Sequence, residues 1–406
     1  MSSPKPTQES MKVTSPQSAD EAARSPRIDR FLRLMIDRGA SDFFFCVGQP
    51  PMMRLDGAVD PIRYRTLHQA DFDLYFGEVT PADRWAQFQK TGDADFAYQI
   101  DNLARFRINL FRQARGDAAA VRIIPSRHLT FEQLGLPSAS ERLARVRHGL
   151  VLVTGPTGCG KSTTLSTVVN RLNRDSVRHI ITIEDPVEFV HQNIRSFINQ
   201  REIARSATSF ASALKGALRE DPDVIMVGEL RDQETIQTAL VAAETGMLVL
   251  GTLHTNSASK TVDRIVNLFS HEDRDNIRSQ LGGALRGILA QQLVRRKEGG
   301  RVAAFELLFG SPALSNLIRE GKTSQIDDLI QLGQRDGMVT MDHSLLALVR
   351  EGTVTPEAAY EKAVDKAAFR HTMAVEFDVQ VGLDEDEDLD SLMEESALAD
   401  PTISQG

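Results

Sequence analysis

Residues 149–165 read GLVLVTGPTGCGKSTTL, and this stretch decides the fold of the chain. Its first six residues form a continuous apolar run, as expected for a parallel strand that is buried on both faces. The next eight match the pattern G-x-x-x-x-G-K-[ST], and a helical pattern starts near Lys161. A strand, a glycine-rich turn and a helix in this order are the context that a phosphate-binding loop requires.

The residue types of this loop suit the binding of a nucleoside triphosphate. Its glycines let the backbone curl so that successive N–H groups face phosphate oxygens, and the helix N-terminus adds partial positive charge. Lys161 can reach the β- and γ-phosphates, and Ser162 can be a ligand of Mg²⁺. We therefore predict ATP and Mg²⁺ as cofactors, with nucleotide contacts from Gly155, Pro156, Thr157, Gly158, Cys159, Gly160, Lys161, Ser162 and Thr163.

The two cysteines, Cys46 and Cys159, exclude a disulfide scaffold and a four-cysteine zinc site, and they fit a reducing cytosol. Cys159 has two interpretations. A helix N-terminus lowers the pKa of a thiol, which would suit a redox switch. We favour the simpler interpretation, in which Cys159 is a small residue that fills space.

The composition of the 406 residues is that of an ordinary globular protein of two or three domains, with 41% hydrophobic and 25% charged residues. No apolar run approaches the roughly 18 residues of a membrane span, and no secretory signal begins the chain, so we expect a cytoplasmic protein without membrane insertion. The net charge is −9, and eight acids in residues 384–395 account for most of it. The nearly neutral remainder gives no indication of nucleic-acid binding.

From residue 149 onward, strand-like runs alternate with helical patterns. Further apolar runs follow at residues 179–183, 223–227 and 247–252, and this alternation is typical of a parallel sheet covered by helices. After about residue 310 the pattern becomes mostly helical. We predict an α/β ATPase domain over residues 149–375 with a helical C-terminal part.

The chain before residue 149 has a different pattern. Residues 27–125 begin with a short helix from Ile28 and continue with short β-like runs at 43–47, 52–55, 105–111 and 119–124, interrupted by a helical stretch at 81–90. This indicates a small α+β domain. Residues 126–148 are predicted as a polar, helical connector. Residues 1–26, rich in Ser, Pro, Gln and Lys, and the acidic residues 376–406 are predicted to be disordered tails.

Acidic residues follow two of the predicted parallel strands, where the sites of such sheets gather. Hydrolysis of ATP needs a carboxylate near Mg²⁺ and a polar group that orients or deprotonates the attacking water. Glu229 is the candidate for holding the metal through water, and either Glu184 or Glu188 is the candidate base. His254, just past the fourth strand, could touch the γ-phosphate, although a lone histidine is more often structural.

Four segments together carry a family resemblance: residues 154–164, 183–189, 217–234 and 251–257 resemble the Walker A, Asp box, Walker B and His box of secretion-type ATPases. Within that superfamily the chain resembles the PilT/PilU retraction ATPases of type IV pili. Further matching segments are Ala40-Ser41-Asp42, residues 48–52, Asn199-Gln200-Arg201-Glu202, residues 218–223, 316–321 and 337–342. The resemblance extends from about residue 28 to about residue 375.

The resemblance implies a PAS-like N-terminal domain, a RecA-like ATPase domain and a ring-shaped homohexamer that holds ATP between the ATPase domain of one subunit and an N-terminal domain. It makes Glu188 the favoured catalytic base, Glu184 its neighbour, Glu229 the Walker B acid and His254 a functional residue. It also implies that N-terminal arginines compensate phosphate charge. The candidates are Arg105, Arg107, Arg112 and Arg122, of which Arg107 and Arg122 enter the predicted site.

The function implied by this resemblance is a motor at the pilus base, peripheral to the inner membrane, that couples ATP hydrolysis to pilus retraction and twitching motility through an inner-membrane platform protein. Alternatives are an accessory PilU-like motor acting with a main PilT, an assembly or secretion ATPase, and a non-hydrolysing ring scaffold. The resemblance implies that assembly ATPases are longer chains, which commonly have a four-cysteine zinc site. The acidic segment 384–395 has two interpretations, a solubilising end or a binding site for a basic partner such as a second pilus motor.

Overall fold

The computed structural model of the protein describes residues 25–55, 58–101, 103–124, 128–203 and 207–382. The chain divides into two compact units, Met1–Ser126 and Arg127–Gly406. Residues 1–24 of the predicted N-terminal tail lie outside the described residues, as does the acidic segment 384–395.

In its described residues, the first unit is a six-stranded antiparallel sheet with three helices. The sheet order is β3-β2-β1-β6-β5-β4. In chain order the elements are α1 (Asp29–Asp37), β1 (Asp42–Cys46), β2 (Met52–Leu55), β3 (Ala58–Pro61), α2 (Gln69–Gly77), α3 (Ala82–Thr91), β4 (Asp93–Ile100), β5 (Ala104–Gln113) and β6 (Gly116–Ile124).

An aromatic core lies on one face of this sheet. Phe43 and Phe45 alternate along β1 with the half-buried Phe44, so the two buried rings point to the same side. Phe31 of α1 packs edge-on against Phe45, with ring centroids 5.3 Å apart. Phe76 of α2 meets the same ring at 5.3 Å. The helices therefore cover one face of the sheet, and Phe44 lies on the other face together with charged side chains such as Arg54.

The second unit contains a seven-stranded sheet of order β13-β12-β7-β11-β10-β8-β9. Its elements are β7 (Gly149–Thr154), α4 (Lys161–Asp175), β8 (His179–Glu184), β9 (Phe197–Glu202), α5 (Phe210–Ala217), β10 (Val224–Val227), α6 (Gln233–Glu244), β11 (Leu248–Leu253), α7 (Ala258–Asn267), α8 (Arg274–Ala284), β12 (Leu285–Arg295), β13 (Arg301–Phe309), α9 (Pro312–Arg319), α10 (Ile326–Leu332), α11 (Met341–Arg350), α12 (Pro356–Tyr360) and α13 (Lys366–Phe377).

Six of these strands are parallel and β13 is antiparallel to β12. The prediction of an α/β fold is confirmed, and the four predicted parallel strands agree with β7, β8, β10 and β11 to within one residue at each end. The sheet also carries one antiparallel strand, β13, at its edge. A short turn that contains Gly299 and Gly300, both at positive φ, folds β13 back onto β12 as a hairpin.

Two predictions concern the residues before and after this sheet, the helical connector and the helical C-terminal part, and their outcomes differ. The predicted helical connector contains a 3₁₀ helix, Ser138–Arg145, and no α-helix among its described residues. The helical C-terminal part is present as α9–α13. Several of these helices begin where a hydroxyl or carboxylate accepts the N–H of the third helical residue, which satisfies a donor that the helix cannot. These N-cap residues are Ser311, Thr340, Thr355 and Asp365.

Two hydrophobic cores lie along the β12–β13 hairpin. Leu289 of β12 belongs to the main core between the sheet and its helices. Val294, near the end of β12, belongs to a smaller core with Met341 and Leu345 of α11. In the part of the chain that the structure describes, every helix is too short or too polar to cross a bilayer.

The buried carboxylate of Glu306 in β13 should make the stability of this unit depend on pH. Its carboxylate accepts the backbone N–H of Ala258 at 2.6 Å, and burial raises its pKa to about 7. Because the folded-state pKa lies above the ordinary value, this group favours folding at low pH, and that contribution is lost as the pH rises through about 7.

We therefore expect Glu306→Gln, which keeps the acceptor oxygen, to raise the free energy of unfolding by up to about 3 kcal/mol at about pH 8 and to change it little at about pH 4.5. Urea denaturation at both pH values measures this. Glu298→Gln, in the exposed hairpin turn, is the matched control and should have no effect at either pH. An equal shift for Glu306→Gln at both pH values would contradict the prediction.

Candidate active site

The sequence-predicted site residues of the second unit meet at one edge of its sheet. The phosphate loop follows β7, Glu184 ends β8, Glu229 lies just past β10, and His254 follows β11. These four strands are parallel neighbours, so their carboxyl ends face the same side. They open into a cleft of about 320 Å³ that is lined by Lys161, Ser162, Glu184, Glu188, Glu229, Arg231 and His254, among others.

The phosphate loop has the backbone that its glycines were predicted to allow. Gly155, Gly158 and Gly160 have φ values of 146°, 77° and 94°, in the region that favours glycine. At Gly155 a Cβ atom would lie 2.2 Å from the carbonyl oxygen of Gln291 on β12. The loop is therefore held against a neighbouring strand so closely that only glycine fits there. Helix α4 begins directly after it, at Lys161.

The ammonium group of Lys161 is held at the centre of the loop. Its Nζ donates to the carbonyl oxygens of Gly155 at 2.9 Å and Pro156 at 3.1 Å. It lies 3.4 Å from Nδ1 of His254. Burial lowers the pKa of Lys161, and the nearby Glu229 and Glu188 carboxylates oppose that shift. A cation kept in a half-enclosed cleft is suited to pairing with phosphate oxygens.

Glu229 lies between two basic side chains. Its Oε1 is 3.1 Å from Nε2 of His254, and its Oε2 is 2.7 Å from Nη2 of Arg231. Burial acts to raise the pKa of Glu229, but the hydrogen bonds and charges of Arg231 and His254 outweigh it, so the pKa is lowered. Glu229 is thus kept ionised, and His254 connects it to Lys161 across the cleft.

The two carboxylates that the sequence left as alternatives have different surroundings. Glu184 is buried and accepts hydrogen bonds from Thr182 Oγ1 at 2.7 Å and Gln200 Nε2 at 3.1 Å. Burial raises the pKa of Glu184 to about 7. Glu188 is half-buried and lines the cleft, and its carboxylate makes no hydrogen bond or ion pair with the other residues that the structure describes. Glu184 is therefore engaged within the protein, whereas Glu188 is available to a ligand.

The surroundings of Cys159 favour the space-filling interpretation. The side chain is buried, and burial raises the pKa of its thiol, which disfavours the reactive thiolate. Its carbonyl oxygen accepts from Nε2 of Gln291 at 2.6 Å, and Oε1 of Gln291 accepts from Thr164 Oγ1 at 2.8 Å. One buried amide therefore joins the loop to the first turn of α4.

The candidate arginines of the first unit fall into two environments. Arg105 and Arg107 alternate on β5 with the buried Phe106, so they lie on the face away from the aromatic core. Arg122 of β6 is the cross-strand partner of Arg107 on that face. Arg122 pairs with Asp42, Nε to Oδ1 at 2.8 Å, and Arg107 pairs with Asp95. Both arginines are largely exposed, and exposed ion pairs are weak enough to exchange partners.

Arg112 lies on the opposite side of the strand. Its Nε is 3.0 Å from Oδ1 of Asp117, and its guanidinium lies 5.4 Å from the ring centroid of Phe88 in the aromatic core. This arginine packs against the core of its own unit, which accounts for its charge without a phosphate.

Three residues that contact the site were not among the sequence-based candidates. Arg231 pairs with Glu229, Gln291 holds the phosphate loop, and Gln200 bonds Glu184. Arg231 could have been found from its position two residues after Glu229. Gln291 lies 132 positions from Cys159, and no pattern in the sequence indicates that the two meet.

A parallel sheet with a glycine-rich loop, a lysine at the start of the following helix and acids at the ends of neighbouring strands defines the class of P-loop nucleotide-binding proteins. Comparison with known proteins narrows this class. Residues 17–359 match the family described as Type II/IV secretion system protein.

Two relatives and one solved structure cover most of the chain. The type IV pilus retractation ATPase PilT of Pseudomonas aeruginosa is 46% identical over 83% of this chain and 98% of its own length. The type IV pilus ATPase PilU of the same organism is 37% identical over 82% of this chain and 88% of its own. A crystal structure of the pilus retraction motor PilT with bound ADP superposes with a TM-score of 0.80 at 41% identity, covering 85% of this chain and 99% of that one.

This chain belongs to the Type II/IV secretion system protein family, and the expected relationship to the pilus retraction ATPases is confirmed. The family is one of ATPases, so the prediction of an ATP-hydrolysing enzyme is confirmed with it.

The contact between Gly155 and Gln291 can be tested with alanine. Gly155→Ala should lower the free energy of unfolding by clearly more than the roughly 1–2 kcal/mol that a left-handed conformation costs any other residue, because its Cβ would also displace the β12 backbone. Gly246→Ala is the matched control, since Gly246 has a φ of 109° and no atom within 4 Å of a Cβ. Urea denaturation compares the two, and equal losses would show that the contact has no energetic weight.

Proposed function

We propose that this protein is the ATP-driven motor of type IV pilus retraction. The observation that carries the proposal is the single cleft in which Lys161, Glu188, Glu229 and His254 meet around the phosphate loop. The relative named as a pilus retraction ATPase is matched over 98% of its length, so the similarity extends well beyond the nucleotide site. The identity to PilT is higher than that to PilU, 46% against 37%, which favours a main motor over an accessory one.

Different residues of the cleft bind the phosphates and the metal. The backbone N–H groups of residues 157–163 and the Lys161 ammonium bind the phosphates. The exposed Ser162 hydroxyl and the ionised Glu229 are oxygen donors of the kind that Mg²⁺ takes, and few protein ligands suffice because phosphates and water complete its shell. The metal supplies charge neutralisation at the phosphates when bound.

Glu188 is the general base in this proposal. Its carboxylate faces the cleft, whereas that of Glu184 is engaged with Thr182 and Gln200. Glu188 accepts the proton of the attacking water, and Glu184 supports the strand end from which the Glu188 loop leaves. His254 bonds Glu229 and faces Lys161. It can therefore contact the phosphate group that the lysine binds and respond to its presence.

Work by such a motor requires that subunits sense one another. We propose a homohexamer in which Arg107 and Arg122, on the polar face of the first unit, approach the phosphates bound by an ATPase unit and exchange their Asp95 and Asp42 partners for phosphate. Cytoplasmic rings of this kind, at the inner face of the membrane, would act on a pilus platform protein by changing shape as each nucleotide is hydrolysed.

Two substitutions separate binding from chemistry. Lys161→Ala should abolish ATPase activity together with tight nucleotide binding, because it removes the cation at the phosphates. Glu188→Gln should retain binding of a fluorescent ADP analogue and lower kcat by roughly 100-fold or more, the usual contribution of a general base. Glu234→Gln, an exposed acid paired with Lys215, is the matched control and should match the wild type. Near-normal turnover by Glu188→Gln would disprove its role as the base.

Deletion of the gene tests the direction of the motor. A retraction motor should leave cells with excess pili and no twitching motility, because assembled pili are no longer withdrawn. Electron microscopy of pili together with a surface-motility assay measures both, and complementation with the Lys161→Ala variant should fail to restore motility. Cells without pili would indicate an assembly motor instead.

A further inference from the structure

The edge strand β9 presents polar side chains to the loop that contains Glu188. Residues 199–202 of this strand are polar, and the alternation of a strand places Gln200 and Glu202 on one face and Asn199 on the other. Gln200 and Glu202 bond the segment from Glu184 to His191, while Asn199 Nδ2 lies 3.0 Å from Nε2 of His179. One face of this edge strand therefore bonds the loop between β8 and β9 that contains Glu188.

The carboxamide of Gln200 makes hydrogen bonds both as a donor and as an acceptor. Its Nε2 donates to Glu184 Oε1 at 3.1 Å and to the carbonyl oxygen of Phe189 at 2.7 Å. Its Oε1 accepts the backbone N–H of His191 at 2.8 Å. An amide is the side chain that can make this set of bonds, since it carries two N–H donors and a carbonyl acceptor in one plane.

These bonds fix the backbone on both sides of Glu188. Glu202 Oε2 accepts the N–H of Val187 at 3.1 Å, directly before Glu188, and Gln200 holds the carbonyl of Phe189 directly after it. The Glu188 side chain itself is left to the cleft. The loop has no regular secondary structure between β8 and β9, so these side-chain bonds replace the pairing that a strand would provide.

We propose that Gln200 is a positioning residue for hydrolysis, which holds the Glu188 carboxylate at the place where it meets the attacking water. Glu202 is its partner on the same strand. This rests on the proposed function, because it acts through Glu188 as the base. Displacement of a catalytic group by about 1 Å costs roughly 100-fold in rate, so a bond network that fixes the loop has a large effect on turnover without touching the nucleotide.

The test is a double-mutant cycle in the full-length protein, read as steady-state ATPase activity. Gln200→Leu alone should lower kcat by roughly 10- to 100-fold, with the affinity for a fluorescent ADP analogue within about twofold of the wild type. In the Glu188→Gln background the same substitution should produce no further loss, since the group that it positions is already gone. Asn199→Leu, the same change on the opposite face of β9, is the matched control and should keep the wild-type rate.

A second variant covers the possibility that Gln200→Leu destabilises the loop. Gln200→Glu keeps the acceptor for His191 and the length of the side chain but places an oxygen against Glu184 and Phe189. Its activity relative to wild type should rise as the pH falls, because the protonated acid can donate again. Thermal unfolding of each variant reports any loss of folded protein.

The outcomes separate the two proposals. A Gln200→Leu variant that lowers kcat by the same factor with and without Glu188, that keeps the wild-type rate, or that loses nucleotide affinity overturns the positioning role. If Glu188→Gln alone retains the wild-type rate, Glu188 is not the base, and the positioning role of Gln200 is wrong as well. That result comes from the Glu188 variant alone, so it can be told apart from a failure of the Gln200 variants.

Discussion

β7, β11, β10 and β8 run parallel and pair in continuous register, so each strand ends at the same edge of the sheet. Every part of the cleft depends on this alignment. Glu184, Glu229 and His254 are separated by 45 and 25 residues in the chain, yet they reach one site because each closes or follows a strand in the same sheet. A slip of one residue in any strand would turn its terminal side chain to the opposite face and remove it from the site.

The charges at this edge also depend on one another. Lys161 loses some of its preference for the charged form through burial and regains part of it from Glu229 and Glu188. Burial acts to raise the pKa of Glu229, and Arg231 and His254 outweigh that effect, so its pKa is lowered. A cleft that binds a polyanion must keep its cations charged, and the opposite charges around Lys161 and Glu229 act against the effect of burial on each of them.

Much of this arrangement could be predicted from sequence, because it rests on local signals. The loop 155–162 has a pattern that only one backbone satisfies, and the buried parallel strands are read from continuous apolar runs. The choice between Glu184 and Glu188 could not be made from spacing, because the two lie four residues apart at the end of β8. They differ in burial and in the hydrogen bonds that Glu184 accepts, and neither can be seen in the sequence. Strand β9 escaped prediction because its residues 199–202 are polar. The contact of β12 with the phosphate loop could not be predicted, because it joins residues that lie 132 positions apart in the chain.

The amide of Gln291 has a mechanical consequence. It bonds the phosphate loop from the middle of β12, which pairs with β13 at nine positions from Gly287 to Arg295. Three residues after Gln291, Val294 of the same strand enters the small core beneath α11. Paired strands are stiff along their length, so a shift of the loop cannot be absorbed between these two points. The paired strand between Gln291 and Val294 therefore joins the phosphate loop to the small core of the C-terminal helices, and we expect a shift of the loop to be passed to that core.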